Sequence, residues 1–331
     1  MKIGLIGTGH LGKIHLKCIR QVKDLHLVGC YDIDEDLCHR IAAEYDICAF
    51  SSAQELIDAV EIVDIVSPTT THYYLAKAAL DKGKHVFVEK PLCHTLAEAK
   101  ELLDLSRTLG LKVQVGHVER FNPAFLSVQG KSLSPMFIEA HRLAMFNPRG
   151  TDVSVVLDLM IHDIDLVLSL VPFPVKRISA SGVTVVSETP DISNARLEFE
   201  NGCVANLTAS RLSLKQMRKL RLFQKDAYIS LDFLDKKAQI IRLYGEEEVA
   251  TMDDADNLLD LDTAQGKKYI HVAMPDIQNN NAIRMELESF CQSIQNDSRP
   301  IVDVEDGYRA LEVAQNIIKA MQANELKHTP Q

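Results

Sequence analysis

Three glycines near the start of the chain restrict its fold more than any other feature. Gly4 to Gly12 reads Gly-Leu-Ile-Gly-Thr-Gly-His-Leu-Gly, so Gly7, Gly9 and Gly12 have the spacing Gly-x-Gly-x-x-Gly. Ile3, Leu5 and Ile6 before them form the apolar run of a buried parallel strand, and a helical pattern follows. In such a turn the first glycine permits the tight reversal. The second leaves room for a pyrophosphate beside the backbone, and the third lets the helix pack close to the strand. Free N–H groups and the dipole at the helix start favour phosphate. Gly7, Thr8, Gly9, His10, Leu11 and Gly12 are therefore the expected dinucleotide seat. A second strand, His26 to Tyr31, ends at Asp32, 20 positions after Gly12. A carboxylate there accepts hydrogen bonds from the adenosine ribose hydroxyls and repels a 2′-phosphate, which favours NAD over NADP. Tyr31, Ile33 and Arg40 leave NADP as an alternative.

Strand and helix signals alternate through the first 116 residues, the pattern of a doubly wound parallel sheet covered on both faces. Asp34 to Tyr45 is a predicted helix. Ser52 with Glu55 is a capping box opening a short helix to Ala59, and Thr95 with Glu98 opens another that Gly110 ends. Ile62 to Val66, His85 to Val88 and Leu111 to Gly116 are predicted strands. Polar clusters follow their carboxyl ends: Ser67, Pro68, Thr69 and His72; then Glu89 and Lys90; then His117 to Arg120. Ligands of doubly wound sheets bind at that edge, so the first two clusters are expected beside the cofactor and His117 and Arg120 beside a substrate.

The 331 residues allow about two domains. A net charge of −10 argues against a nucleic-acid surface. No apolar run is long enough to span a bilayer, and a strand at the very start leaves no room for a leader peptide. The seven cysteines are scattered and include no Cys-x-x-Cys pair, which reads as reduced thiols in a cytoplasmic protein without a metal site.

From Phe121 the pattern changes. Pro123 to Gln129 is a predicted short helix and Met136 to Leu143 a strand. A Pro/Gly loop carrying Arg149, a candidate for a substrate phosphate or carboxylate, precedes a predicted helix over Val153 to Leu170. Strand signals then crowd together from Val175 to Leu243, with Glu200-Asn201-Gly202 as a hairpin turn. They predict a largely antiparallel sheet with one face against the Val153 to Leu170 helix and an open face suited to pairing with a second copy. The acidic stretch Met252 to Asp262 lacks the glycine and final Glu of a calcium loop and reads as a solvated loop. Helices are predicted over 282–295 and 304–322, with a frayed tail from Lys327.

Together these motifs resemble the Gfo/Idh/MocA oxidoreductases. The markers are Gly7-x-Gly9-x-x-Gly12 with His15, Pro68 with His72, Glu89-Lys90-Pro91, Arg120-Phe121-Asn122-Pro123, and Asp158-Leu159-Met160-Ile161-His162-Asp163-Ile164-Asp165. The resemblance implies a Rossmann NAD-binding domain over 1–119. It implies a substrate-binding and oligomerisation α+β domain over 120–331, whose last two helices pack back near the first domain. It also implies a homodimer or homotetramer formed through the C-terminal sheet. In the family the lysine of Glu-Lys-Pro lies beside the nicotinamide and the Asp-x-x-x-His pair faces it. This assigns catalysis to Lys90, Asp158 and His162, the last two also touching substrate. If their segment is helical, Asp158 and His162 share one face, while Asp163 and Asp165 fall off it.

Many relatives carry a glycine pair ahead of this motif and a glycine inside it; here those places hold Ser154-Val155-Val156 and Met160. In this stretch the chain is more similar to the branch that oxidises nucleotide sugars, such as UDP-N-acetylglucosamine 3-dehydrogenases. The expected activity is hydride transfer between a sugar or nucleotide-sugar carbinol and nicotinamide. Alternatives are a simple sugar or inositol dehydrogenase, a reductase of a non-sugar ring compound, and a non-catalytic dinucleotide sensor.

Overall fold

Alternating apolar and amphipathic segments fold into six parallel strands with helices between them: β1 (Lys2–Ile6), β2 (His26–Tyr31), β3 (Cys48–Ala49), β4 (Ile62–Ile65), β5 (His85–Glu89) and β6 (Val113–Gly116). Their order in the sheet is β3-β2-β1-β4-β5-β6. The helices are α1 (His10–Ile19), α2 (Glu35–Tyr45), α3 (Ala53–Ala59), α4 (Thr69–Asp81) and α5 (Leu96–Leu109). The computed structural model describes residues 1–147, 153–250, 258–263 and 266–328. They divide into two units, Met1–Phe121 with Asn281–Glu312 and Asn122–Asn280 with the residues from Val313. The capping box at α5 forms in both directions, and Gly110 closes that helix at φ 66°. At α3 only half of the expected box forms. Ser52 accepts from Glu55 N, but the Glu55 carboxylate accepts from Ser51 Oγ at 2.7 Å, a hydroxyl one position earlier. β3 was not foreseen, because two residues are too few to show a period.

The second unit begins with the short helix α6 (Pro123–Leu126) and then builds a nine-stranded sheet, order β14-β15-β13-β12-β11-β7-β10-β9-β8. Its strands are β7 (Phe137–Leu143), β8 (Val175–Val183), β9 (Ile192–Phe199), β10 (Val204–Ser210), β11 (Met217–Phe223), β12 (Ala227–Asp232), β13 (Lys237–Tyr244), β14 (Leu259–Thr263) and β15 (Gly266–Ala273). All neighbours are antiparallel except β7 and β10. Alternate residues face inward along β7 and β10, among them Ile138, Ala140, Ala205, Leu207 and Ala209, all at 0 % exposure. That face is covered by a π-helical turn, Val156–Met160, and by α7 (Ile161–Leu170).

Two expectations change here. The helix predicted from Val153 starts later, because Ser154 caps it: Ser154 Oγ accepts from Val156 N (3.3 Å) and Ser154 O from Asp158 N (2.9 Å). Of the acidic stretch read as a loop, residues 252–257 lie outside the described residues, but Leu259–Thr263 is β14, paired with β15. Its Leu-Asp-Leu-Asp alternation is strand-like, and Lys267 meets Asp260 at 2.8 Å across the pair. The short helix α8 (Glu246–Val249) precedes it.

The last two helices are α9 (Ala282–Gln295) and α10 (Val304–His328), which runs past the expected end at Gln322. α9 packs on α1, placing Leu287 and Phe290 in the core of the first unit with Ile3, Leu5, Leu16 and Phe87. Among the described residues no helix is long and apolar enough to cross a membrane, and no cluster of His, Cys, Asp or Glu has metal-binding geometry.

Candidate active site

The glycine turn separates what the fold needs from what it does not. Gly7 has φ +101°, and a Cβ there would lie 2.7 Å from Ser67 N on the loop after β4. A Cβ on Gly12 would lie 2.0 Å from Gly7 O. Both positions must therefore be glycine for the chain to fold as it does. Around Gly9, in contrast, a Cβ would meet nothing within 4 Å. Gly9 is the N-cap of α1, which has neither a side-chain cap nor an acidic residue in its first turn. The amides at the helix start have no intrahelical acceptor, and the space before them is open. That is the cradle a pyrophosphate requires, so a dinucleotide fits this turn on geometry alone.

Thr8 takes a different place from the one its position in the turn suggests. Its side chain is fully buried, and both its amide and its hydroxyl donate to Asp32 Oδ2, at 2.6 and 2.9 Å. Asp34 N adds a bond to Asp32 Oδ1 at 3.1 Å. Asp32 is thus held at the end of β2, beside the turn. A carboxylate has about four lone-pair sites, so acceptor capacity remains for ribose hydroxyls.

On the β4 side of the edge, Pro68 caps α4, Thr69 begins it, and Ser67 Oγ meets Thr71 Oγ1 at 2.7 Å. His72 is buried. Its Nδ1 lies 2.9 Å from Pro91 O and its Nε2 2.8 Å from Ser67 O. Burial pushes its pKa below the usual imidazole value. Both nitrogens face backbone carbonyl oxygens, and a neutral ring donates to only one of them, so the ring braces the β4 loop against the β5 loop through one hydrogen bond at a time.

Lys90 follows β5. The acid before it, Glu89, is 9 % exposed and points back into the sheet: Oε1 lies 3.2 Å from His15 Nε2, and Oε2 accepts from Lys90 N at 3.2 Å. His15 Nδ1 in turn lies 2.9 Å from Asp64 Oδ2 on β4. Burial opposes charge on His15, but Asp64 and then Glu89 outweigh it, and its pKa stands well above the ordinary value. Burial also opposes charge on Glu89, yet His15 brings its pKa below the usual range; Asp64 is pushed up by its burial. In the sequence His15 is a family marker with no role of its own. Its only signal was position, three residues after Gly12 on the face of α1 turned to the sheet. His117 and Arg120 sit at the end of β6 and in the 3₁₀ turn Val118–Phe121 after it, 1 % and 8 % exposed.

In the second unit Asp158 lies in the π-helical turn and His162 in the first turn of α7, both half-buried. Asp163, next to His162, is buried and accepts two bonds from Arg142 on β7, Nε to Oδ2 at 3.0 Å and Nη2 to Oδ1 at 2.8 Å. The fork pins the start of α7 to the sheet. Arg149 lies outside the described residues.

Comparison with known proteins agrees with this geometry. A family model described as an oxidoreductase family, NAD-binding Rossmann fold (GFO_IDH_MocA) matches residues 1–117. Its companion, the C-terminal alpha/beta domain of the same oxidoreductase family, matches residues 147–327. The UDP-N-acetylglucosamine 3-dehydrogenase of Acidithiobacillus ferrooxidans is 32 % identical over 324 residues, which is 98 % of this chain and 98 % of that one. The solved structure of that enzyme matches with a TM-score of 0.86, again over 98 % of both chains. The glucose-6-phosphate 3-dehydrogenase of Bacillus subtilis is 27 % identical over 94 % of each chain.

Proposed function

The chain belongs to the Gfo/Idh/MocA oxidoreductase family and is an NAD(P)-dependent dehydrogenase of CH–OH groups, and from that premise we propose that it oxidises UDP-N-acetylglucosamine at C3 of the sugar with NAD. The observation that carries this reading is the 32 % identity spread over 98 % of both chains to an enzyme of that activity. The choice of NAD rests on Asp32, fixed beside the glycine turn where a 2′-phosphate would meet its charge.

In this proposal a bound nicotinamide supplies the hydride acceptor. His162 takes the hydroxyl proton as the carbinol C–H bond breaks, the general-base role for which an imidazole is suited. The Lys90 ammonium stabilises the developing alkoxide. Asp158 orients the imidazole or holds a sugar hydroxyl. His117 and Arg120 belong to the substrate side, and the open face of the second unit's sheet pairs with another copy.

The test is NAD reduction followed at 340 nm with UDP-N-acetylglucosamine, free N-acetylglucosamine, glucose 6-phosphate and myo-inositol. The nucleotide sugar should be turned over fastest. Preference for an unactivated sugar or a cyclitol moves the chain to the simple dehydrogenases, and no reduction in a protein that binds NAD makes it a sensor. Lys90→Ala and His162→Ala should each lower kcat by about 10²–10⁴-fold, the usual contribution of a proton-transfer group, with NAD still bound. Near-normal turnover in both variants removes them from the mechanism.

A further inference from the structure

The buried cluster of His15, Asp64 and Glu89 is not used by the chemistry above, yet it joins three parts of the first unit that the chemistry needs. His15 stands on α1, the helix whose start forms the dinucleotide cradle. Asp64 is in the middle of β4, and Glu89 ends β5 immediately before Lys90. His15 and Asp64 are 0 % exposed and Glu89 9 %. Both ring nitrogens face carboxylate oxygens, at 2.9 Å (Asp64 Oδ2) and 3.2 Å (Glu89 Oε1). An ionised carboxylate only accepts, so both contacts are hydrogen bonds when the ring carries two protons. The other oxygen of Glu89 accepts from the Lys90 amide at 3.2 Å.

Glu89 has little freedom to leave this arrangement. Gly116 on β6 packs so closely that a Cβ there would lie 2.7 Å from Glu89 Oε1. Asp64 Oδ1 is buried with no hydrogen-bond partner among the described residues. Such a group destabilises the fold unless something is gained from it. A neutral apolar trio of similar volume would hold α1 on the sheet as well; what it would not supply is a fixed acceptor for the Lys90 amide.

We propose that His15 is a positioning residue, which through Glu89 fixes the backbone at Lys90 and so links the helix that seats the dinucleotide to the lysine that serves the reaction. The proposal rests on the reading of Lys90 as the active-site lysine. The charge on His15 is the working state. A neutral ring donates to one carboxylate only, and the hydrogen bond to Glu89 competes with the shorter one to Asp64. The surrounding titratable groups are Cys18 on α1, Arg284 on α9, and His72 and Lys90 near Glu89. Neither Arg284 nor Lys90 is hydrogen-bonded to the ring, whose two nitrogens face Asp64 and Glu89.

The experiment has two readouts on the full-length protein. The first is the Lys90 amide resonance in ¹⁵N-lysine-labelled protein, identified by its absence from Lys90→Arg and followed from pH 6 upward. The second is the pH profile of kcat for NAD reduction, with the NAD dissociation constant measured in parallel. Asp64→Asn keeps an acceptor for Nδ1 but removes the charge that most favours the imidazolium. In that variant the Lys90 amide should move at a lower pH than in the wild type. The alkaline fall of kcat should move down with it, while NAD binding stays unchanged. His15→Gln should lower kcat by about tenfold to a hundredfold, the range expected from losing one hydrogen bond to a charged group. A His15 that only supported the fold would lower thermal stability without moving either pH profile. A Lys90 amide that ignores both variants overturns the proposal. If the wild type turns over none of the sugars, the amide readout still decides the relay, so the two readings fail separately.

Discussion

Substituting the three glycines of the turn one at a time separates folding from cofactor binding. Gly12→Ala would place a Cβ 2.0 Å from Gly7 O, about 1 Å inside the closest approach that real Cβ atoms make. Backbone would have to move, and the loss should exceed about 4 kcal/mol, the range of severe core lesions. Gly7→Ala adds a side chain at φ +101° and 2.7 Å from Ser67 N. The left-handed backbone alone costs about 1–2 kcal/mol, and the collision adds to it. Gly9→Ala meets nothing within 4 Å, at the ordinary φ of −64°. It exchanges one N-cap residue for a poorer one, at about 1 kcal/mol or less. The stability order is therefore Gly9→Ala, then Gly7→Ala, then Gly12→Ala, measured by thermal melting. NAD affinity should not follow that order. The Gly9 methyl fills the space before the α1 amides, and loss of one charge-assisted bond, about 1.5–3 kcal/mol, raises the dissociation constant roughly 10- to 150-fold. Isothermal titration with NAD checks this. A Gly9→Ala protein that melts like the wild type and binds NAD equally well would refute the assignment of the cradle.

The remaining predictions concern charge. Asp32→Asn keeps an acceptor for Thr8 but removes the charge facing a 2′-phosphate, so the NAD-over-NADP preference in kcat/KM should fall about tenfold or more, equivalent to about 1.4 kcal/mol; an unchanged ratio would mean that Asp32 does not read the ribose. His15 has a raised folded pKa, so its contribution to stability is complete below the unfolded value of about 6.5 and is lost as pH rises through the folded one. Glu89, with a lowered pKa, contributes above the unfolded value of about 4.3 and loses that contribution as pH falls through the folded one. Asp64, raised by burial, opposes stability once ionised. Melting temperature should therefore decline from neutral to alkaline pH, and less steeply in His15→Gln; equal slopes would contradict the raised pKa. Arg142→Met leaves Asp163 buried without its fork and should destabilise by about 3–5 kcal/mol in urea, most of which Arg142→Met/Asp163→Leu should restore.

The fold was legible wherever a period could run long enough to be seen. Five of the six parallel strands, the helices between them and the alternating strands of the second sheet follow from apolar spacing and turn residues. β3, with two residues, has no period to show. β14 and β15 were hidden by composition: their Asp and Lys residues signal solvent, yet paired across an edge they neutralise one another, as Asp260 and Lys267 do. In the site, the glycines and Asp32 were legible because their spacing is fixed by the ligand. The partners of His15 were not, since they lie 49 and 74 positions away in the chain. Hydrophobic patterning contains no term for a buried ion that meets its counter-ion from another strand.

That gap explains a regularity shared by the two units. Lys90 and His162, both proposed for catalysis, each have a buried acid as a chain neighbour, Glu89 before Lys90 and Asp163 after His162. Read as sequence, Glu89 falls beside the cofactor, while Asp163 lies off the face that Asp158 and His162 share. Their surroundings give both acids structural partners. Glu89 is held by His15 and the Lys90 amide, Asp163 by both arms of Arg142, and neither is left facing solvent. An acid so engaged is a poor base but a good anchor, because moving it would strand a charge inside the protein. Fixing the backbone one residue from a reactive side chain limits that side chain to its own rotamers, and placement within a fraction of an ångström is what a proton or hydride transfer requires. On this argument the buried acids belong to the reaction without taking part in it. Their loss should appear in kcat before it appears in the affinity for NAD.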